Sequence, residues 1–163
     1  MSKKIVFCGG GNMAENIMRG LLNKGVVTPE DVTVNELIPN RCEYLSRTYS
    51  VTAIANADDA IEKADLVIIA VNPPQVPLVT RVLKPLINEQ TIILSIAAGV
   101  TIGTLESQVG SDKKVVRVTP NTLSQSGSGY SAVCMNERCN DQDKSFITDV
   151  LNALGQIMYL NED

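Results

Sequence analysis

The sequence predicts an α/β domain that is doubly wound, with a mostly parallel sheet of about eight strands and helices on both faces. Three observations lead there. Strand-like and helix-like segments alternate along the chain, which favours parallel strands joined by crossover helices. The clearest apolar run, Leu66-Val67-Ile68-Ile69-Ala70-Val71, has no polar alternation, as expected of a strand covered on both faces. Three glycines, Gly9-Gly10-Gly11, stand directly between the first apolar run and the first helical pattern.

The elements follow in order. Residues 4–8 read as a short buried strand. Residues 12–23 read as a helix, with Met13, Ile17, Leu21 and Leu22 on one side and Gly25 as its stop. A strand at 32–36, a helix at 40–49, a short strand at 51–54 and a short helix at 57–63 come next. After the apolar strand at 66–71, a helix is expected at 74–87, its regularity limited by Pro77 and Pro85. A strand at 91–96 and a helix at 102–109 follow, then strands at 114–118 and 131–135. An amphipathic helix at 141–154 takes Asn140 as its cap. The last strand, 156–160, pairs either within this domain or with a partner, and the pattern leaves both open.

The chain of 163 residues suits one domain spanning 1–163. Its hydrophobic share of 44% fits a soluble globular protein. No apolar run approaches the ~20 residues that span a bilayer, and the Met1-Ser2-Lys3-Lys4 start lacks the apolar stretch of a signal peptide. A cytoplasmic protein with no membrane partner is expected. A net charge of -4 without a basic block gives no support to nucleic-acid binding. Cys8, Cys42, Cys134 and Cys139 form no CxxC pair and histidine is missing, so no metal site is expected. The thiols read as buried or idle. Without histidine, the commonest general acid–base is also missing, and no catalytic residue is assigned.

Glycine in regular structure costs about 0.5–1 kcal/mol relative to alanine, so the triplet needs a reason. Gly9-Gly10-Gly11-Asn12-Met13-Ala14 fits G-x-G-x-x-A, the turn of a Rossmann-type dinucleotide-binding domain. There Gly9 permits the tight turn, Gly11 lets a pyrophosphate approach the backbone, and small Ala14 lets the helix pack close to the strand. The helix aims its unpaired N–H groups and positive dipole end at the phosphates. Glu36, ending the second strand, follows at a longer spacing than the usual ~20 residues, and the 25–31 loop absorbs the difference. Its carboxylate can accept the ribose hydroxyls of NAD and repel the 2′-phosphate of NADP, with Arg41 near enough to soften the repulsion. A plain solvated charge is the other reading of Glu36.

Four segments occur in order: Gly9-Gly10-Gly11-Asn12-Met13-Ala14, Ala70-Val71-Asn72-Pro73, Ser95-Ile96-Ala97-Ala98-Gly99-Val100-Thr101-Ile102, and Arg117-Val118-Thr119-Pro120-Asn121-Thr122. Together, over essentially the whole chain, they resemble pyrroline-5-carboxylate reductase. That family reduces the cyclic imine 1-pyrroline-5-carboxylate to proline with NAD(P)H, usually NADP. The resemblance implies that Asn12 and Met13 cover the pyrophosphate. Ala70, Val71 and Pro73 would match the A-V-K-P motif beside the cofactor, with Asn72 at its lysine position also counted toward the cofactor, and Asn56 would match an asparagine near the adenosine ribose. Ala97 and Ala98 would lie under the nicotinamide, and Asn121 would match the asparagine of M-P-N-T-P.

The chain departs from the family pattern at four places. Asn72 stands for lysine, Thr119 for methionine and Leu123 for the second proline. Glu36 stands where many members carry serine or arginine, which leans the cofactor toward NAD. These departures motivate an alternative: a non-catalytic nucleotide-binding or regulatory domain related to the reductase. An F420-type reductase sharing the fold is a third reading.

The residues themselves carry other readings. The Ala97-Ala98-Gly99 run also suits tight helix–sheet packing, and Pro120-Asn121-Thr122 a simple turn. Ser126-Gly127-Ser128-Gly129 has no helix after it and reads better as a flexible turn than as a phosphate loop. The resemblance also implies a C-terminal helical half that binds the imine substrate and forms the oligomer. Its G-S-G-P-A-Y segment does not occur here. The chain is therefore expected to bind a dinucleotide but to catalyse weakly or not at all without that half.

Overall fold

The strands are β1 (Ile5–Cys8), β2 (Val32–Asn35), β3 (Thr52–Ile54), β4 (Leu66–Ile69), β5 (Ile92–Ser95), β6 (Lys114–Pro120), β7 (Tyr130–Met135) and β8 (Gln156–Tyr159). The helices are α1 (Asn12–Asn23), α2 (Pro39–Tyr49), α3 (Asp58–Glu62), α4 (Val76–Leu83), α5 (Ile102–Val109) and α6 (Asp141–Asn152). The computed structural model describes residues 3–120 and 130–161.

All eight strands join one sheet in the order β3-β2-β1-β4-β5-β6-β7-β8. Every pairing is parallel except β6 with β7. The order runs outward in both directions from β1 and β4, so the topological switch point lies between these two strands. Ligands of such sheets sit beyond the carboxyl ends of the strands at that point.

Side chains alternate across a strand, and β1 divides accordingly. Ile5 and Phe7 join a core with α1, α2 and α6, while Val6 and Cys8 join one with α3, α4 and α5. β4 and β5 are buried on both faces, which explains their unbroken apolar sequence. Near full burial pushes the Cys8 thiol up to about 12.

Most departures from the expected boundaries have local causes. β4 stops at Ile69, level with Cys8 of β1. Pro73 and Pro74 have no N–H to continue a ladder, and Pro73–Gln75 forms a 3-10 turn. α4 is shorter than residues 74–87. It begins at Val76, tolerates Pro77 in its first turn and ends at Leu83 ahead of Pro85. β6 runs on to Pro120 because β7 pairs with it there, Thr119 with Ala132 and Pro120 with Ser131. α6 stops at Asn152 rather than 154. Its start carries a full capping box, with the Asn140 side chain accepting from Asp143 N–H and the Asp143 side chain accepting from Asn140 N–H. β8 pairs with β7 inside the domain.

Candidate functional site

The turn after β1 sits at the switch point, between the ends of β2 and β4. Its three glycines meet three different surroundings. Gly9 has φ +100°, a conformation that side-chain-bearing residues rarely adopt, and its N–H donates to the Asn35 carbonyl at 2.9 Å. A Cβ on Gly9 would lie 2.7 Å from the Ala70 carbonyl oxygen and 2.9 Å from Val71 Cγ1. Gly9 is thus what allows β1 to turn tightly against Ala70 and Val71. A Cβ on Gly10 would press on Leu45, Val34 and Glu36, at 3.0, 3.0 and 3.1 Å. A Cβ on Gly11 would meet nothing within 4 Å.

Gly11 therefore opens onto space, and α1 starts there. Its N-cap is Gly11 itself, with no side-chain cap, so the first amides of the helix are left without a side-chain acceptor. Asn12 and Met13 are exposed around that mouth, and Ala14 is buried against the core. A bare helix N-terminus beside unfilled space is the arrangement that receives a phosphate group.

Glu36 lies just past β2, with its carboxylate on two backbone amides. Oε1 accepts from Gly10 N–H at 3.0 Å and Oε2 from Ile38 N–H at 3.0 Å. It is half-buried and fixed in place, which differs from a freely solvated charge. Each oxygen keeps a lone pair for a hydroxyl donor. Cys42 donates its S–H to the Glu36 carbonyl at 3.1 Å, and burial, then the Glu36 charge, raises its thiol.

The other expected residues are placed less uniformly. Ile96 N–H bonds the Ile69 carbonyl at 3.2 Å, which brings the Ala97–Ala98 segment beside the end of β4. Ala97 is buried, with its N–H on Ser95 Oγ at 3.2 Å, and Ala98 is exposed. Asn72 and Pro73 are exposed at the start of the 3-10 turn after β4. Asn56 accepts from Asp58 N–H at 3.0 Å, just ahead of α3. The residue before it is tied to the end of β2, where the Asn35 side chain donates to the Ala55 carbonyl at 2.7 Å. Asn121 lies outside the described residues, as do Thr122 and the 126–129 loop.

One cluster was not read from the sequence. Glu15, in the first turn of α1, is only 5% exposed. It binds Arg41 at 2.7 Å, Tyr44 at 2.6 Å, Arg19 at 3.2 Å and also Tyr49. Burial raises its carboxyl, but the hydrogen bonds from Tyr44, Tyr49 and Arg41 outweigh that and hold it at about 2. Arg41 also donates through Nε to the Gly10 carbonyl at 2.6 Å. The available signal was a glutamate flanked by the buried positions Ala14, Ile17 and Met18 of an amphipathic helix. Among the described residues no cluster of His, Cys, Asp and Glu could hold a metal ion, and no helix is long and apolar enough to cross a membrane.

The pattern of the family described as "NADP oxidoreductase coenzyme F420-dependent" matches residues 4–99, from β1 through the glycine turn and β4 to the end of β5. The chain belongs to this family. Among individual proteins, it is 30% identical over 162 residues to the pyrroline-5-carboxylate reductase of Escherichia coli K12, covering 99% of this chain and 60% of that one. A pyrroline-5-carboxylate reductase structure from Coxiella burnetii superposes with a TM-score of 0.93 at 28% identity, covering 100% of this chain and 60% of that one. The Plasmodium falciparum pyrroline carboxylate reductase, solved with NADP bound, gives a TM-score of 0.85 at 27% identity over 98% of this chain and 58% of that one. The resemblance read from the four segments thus extends along essentially the whole of this chain. The chain spans about 60% of the length of these relatives.

Proposed function

We propose that this chain is the cofactor-binding part of an NAD(P)H-dependent reductase of 1-pyrroline-5-carboxylate, forming proline in the cytoplasm. The observation that carries it is the turn at the switch point: Gly9 packed against the end of β4, and Gly11 opening onto space at the bare start of α1. In this reading Gly11, Asn12 and Met13 hold the diphosphate through backbone amides. Glu36 accepts the adenosine ribose hydroxyls with the lone pairs its backbone partners leave, which favours NAD. Ala70, Val71, Asn72 and Pro73 line the cofactor from the end of β4, and Ala97 and Ala98 give a flat ring room to approach the backbone. Asn56 and Asn121 complete the binding set. Held there, a reduced dinucleotide would supply the hydride for the imine carbon, with a proton taken up at the imine nitrogen. Hydride transfer needs the reacting atoms about 3–3.5 Å apart, and this chain provides one wall of such a site. The family resemblance read from the sequence assigns the substrate wall and the oligomer contacts to the family's C-terminal helical half.

The family description also names coenzyme F420, and competition between F420 and NADPH for the purified chain separates the two cofactors. The main test exchanges this chain for the matching 60% of the E. coli relative. Proline formation dependent on NADH or NADPH is expected from the chimera. A folded chimera that binds nucleotide without forming proline would favour a non-catalytic nucleotide-binding domain. A chimera and a chain that bind neither nucleotide would overturn the proposal.

A further inference from the structure

Both ends of Gly10 are gripped by charged side chains. Its N–H is held by the Glu36 carboxylate at 3.0 Å and its carbonyl by Arg41 Nε at 2.6 Å. Arg41 is fixed in turn. Its Nη2 bonds Glu15 Oε1 at 2.7 Å, and its guanidinium lies 4.9 Å from the centre of the Tyr44 ring. Tyr44, Tyr49 and Arg19 hold the other Glu15 oxygen. Arg41 thus connects a buried carboxylate on α1 to the carbonyl of the peptide between Gly10 and Gly11.

That peptide is trans, as is every peptide among the described residues. In a planar trans peptide the C=O and N–H point in opposite directions. With the carbonyl anchored on Arg41, the Gly11 N–H must point away from Arg41. That N–H has no acceptor among the described residues, and a Cβ on the same residue would meet only open space. A cation on the carbonyl also polarises the peptide and strengthens its N–H as a donor.

We propose that Arg41 is a positioning residue: braced by Glu15, it orients the Gly10–Gly11 peptide so that the Gly11 amide faces the space a diphosphate fills. The inference rests on the dinucleotide reading above. It differs from a role for Arg41 in neutralising a 2′-phosphate, because a guanidinium committed to Gly10 and Glu15 acts on the part of the ligand that NADH, NADPH and ADP-ribose share.

The test measures Kd for these three nucleotides with the full chain and with Arg41→Gln, Arg41→Lys and Glu15→Gln, alongside the amide resonance of Gly11 without nucleotide. Arg41→Gln is expected to weaken all three ligands alike, by about tenfold, the scale of one charge-assisted hydrogen bond. Glu15→Gln is expected to weaken them alike by a smaller factor, and to move the Gly11 resonance in the same direction as Arg41→Gln. Should Arg41→Gln lose its fold, Arg41→Lys carries the test. An ammonium cannot reproduce the planar fork that reaches Gly10 and Glu15 together, so a uniform loss is again expected. A loss confined to NADPH would assign Arg41 to the 2′-phosphate and overturn the inference. Unchanged affinities with an unmoved Gly11 resonance would overturn it while leaving the dinucleotide reading intact. If the unsubstituted chain binds none of the three, that reading fails and this inference falls with it.

Discussion

Gly9 and Gly11 are two residues apart in one turn, yet a methyl group at each is expected to have opposite consequences. At Gly9 an alanine must adopt φ +100°, with its Cβ 2.7 Å from the Ala70 carbonyl oxygen and 2.9 Å from Val71 Cγ1. The backbone strain costs about 1–3 kcal/mol, and pushing the end of β4 aside costs about 1–3 kcal/mol more. Gly9→Ala should therefore lose roughly 2–6 kcal/mol. At about 2–4 °C per kcal/mol for a domain of this size, Tm falls by roughly 4–24 °C. Gly11 has φ -78° and no neighbour within 4 Å of a Cβ. Alanine fits there and restricts the unfolded chain, worth about 0.4–1 kcal/mol, which offsets its poorer suitability as the N-cap of α1, so Gly11→Ala should change stability by less than about 1 kcal/mol. Its methyl group occupies the space assigned to the diphosphate, however, so NADH affinity should fall at least about tenfold, or ~1.4 kcal/mol. Thermal unfolding and a fluorescence titration with NADH read the two effects separately. An unchanged Tm for Gly9→Ala would refute the close approach of β1 and β4. Full NADH affinity in a folded Gly11→Ala would refute the place given to the diphosphate.

Three other outcomes are expected. Glu36→Ser should move the NADPH-to-NADH affinity ratio toward NADPH by roughly 1–3 kcal/mol. It should also weaken NADH itself, because Gly10 and Ile38 lose their acceptor; paired titrations measure both. Glu15 is depressed from 4.5 to about 2 in the folded chain. Its stabilisation is thus fully present above pH 4.5 and is lost as pH falls toward 2. Glu15→Gln should flatten the fall of Tm with pH in that window and leave other acid-sensitive groups in place. Asn140→Ala removes one half of the α6 capping box and should cost about 1 kcal/mol, read as a fall in Tm of about 2–4 °C.

The middle of the sheet was legible because β1, β4 and β5 are buried on both faces and their apolar runs carry few polar interruptions, β4 above all. The glycine turn was legible because three glycines have no reason to stand before a helix unless the backbone must turn or be approached closely. Gly9 shows the first reason in its positive φ, and Gly11 is placed to serve the second. Boundaries were less visible where tertiary pairing decides them. β6 extends through Thr119 and Pro120 only because β7 returns alongside it. Proline set the limits of α4 more narrowly than apolar spacing suggested. The local hydrogen bond by which Asn56 accepts from Asp58 N–H is one that a family match does not reveal. The least legible feature was the Glu15–Arg41–Gly10 connection, because residues distant in sequence meet only when α2 packs beside α1.

The central claim is that backbone amides at the start of α1 receive the diphosphate of a nicotinamide dinucleotide. A crystal structure of this chain grown with NADH tests it directly. Diphosphate oxygens are expected within about 2.7–3.2 Å of the Gly11 amide and the first amides of α1, with Gly10 still held between Glu36 and Arg41. A nucleotide seated elsewhere, or a turn left empty at saturating NADH, would contradict it.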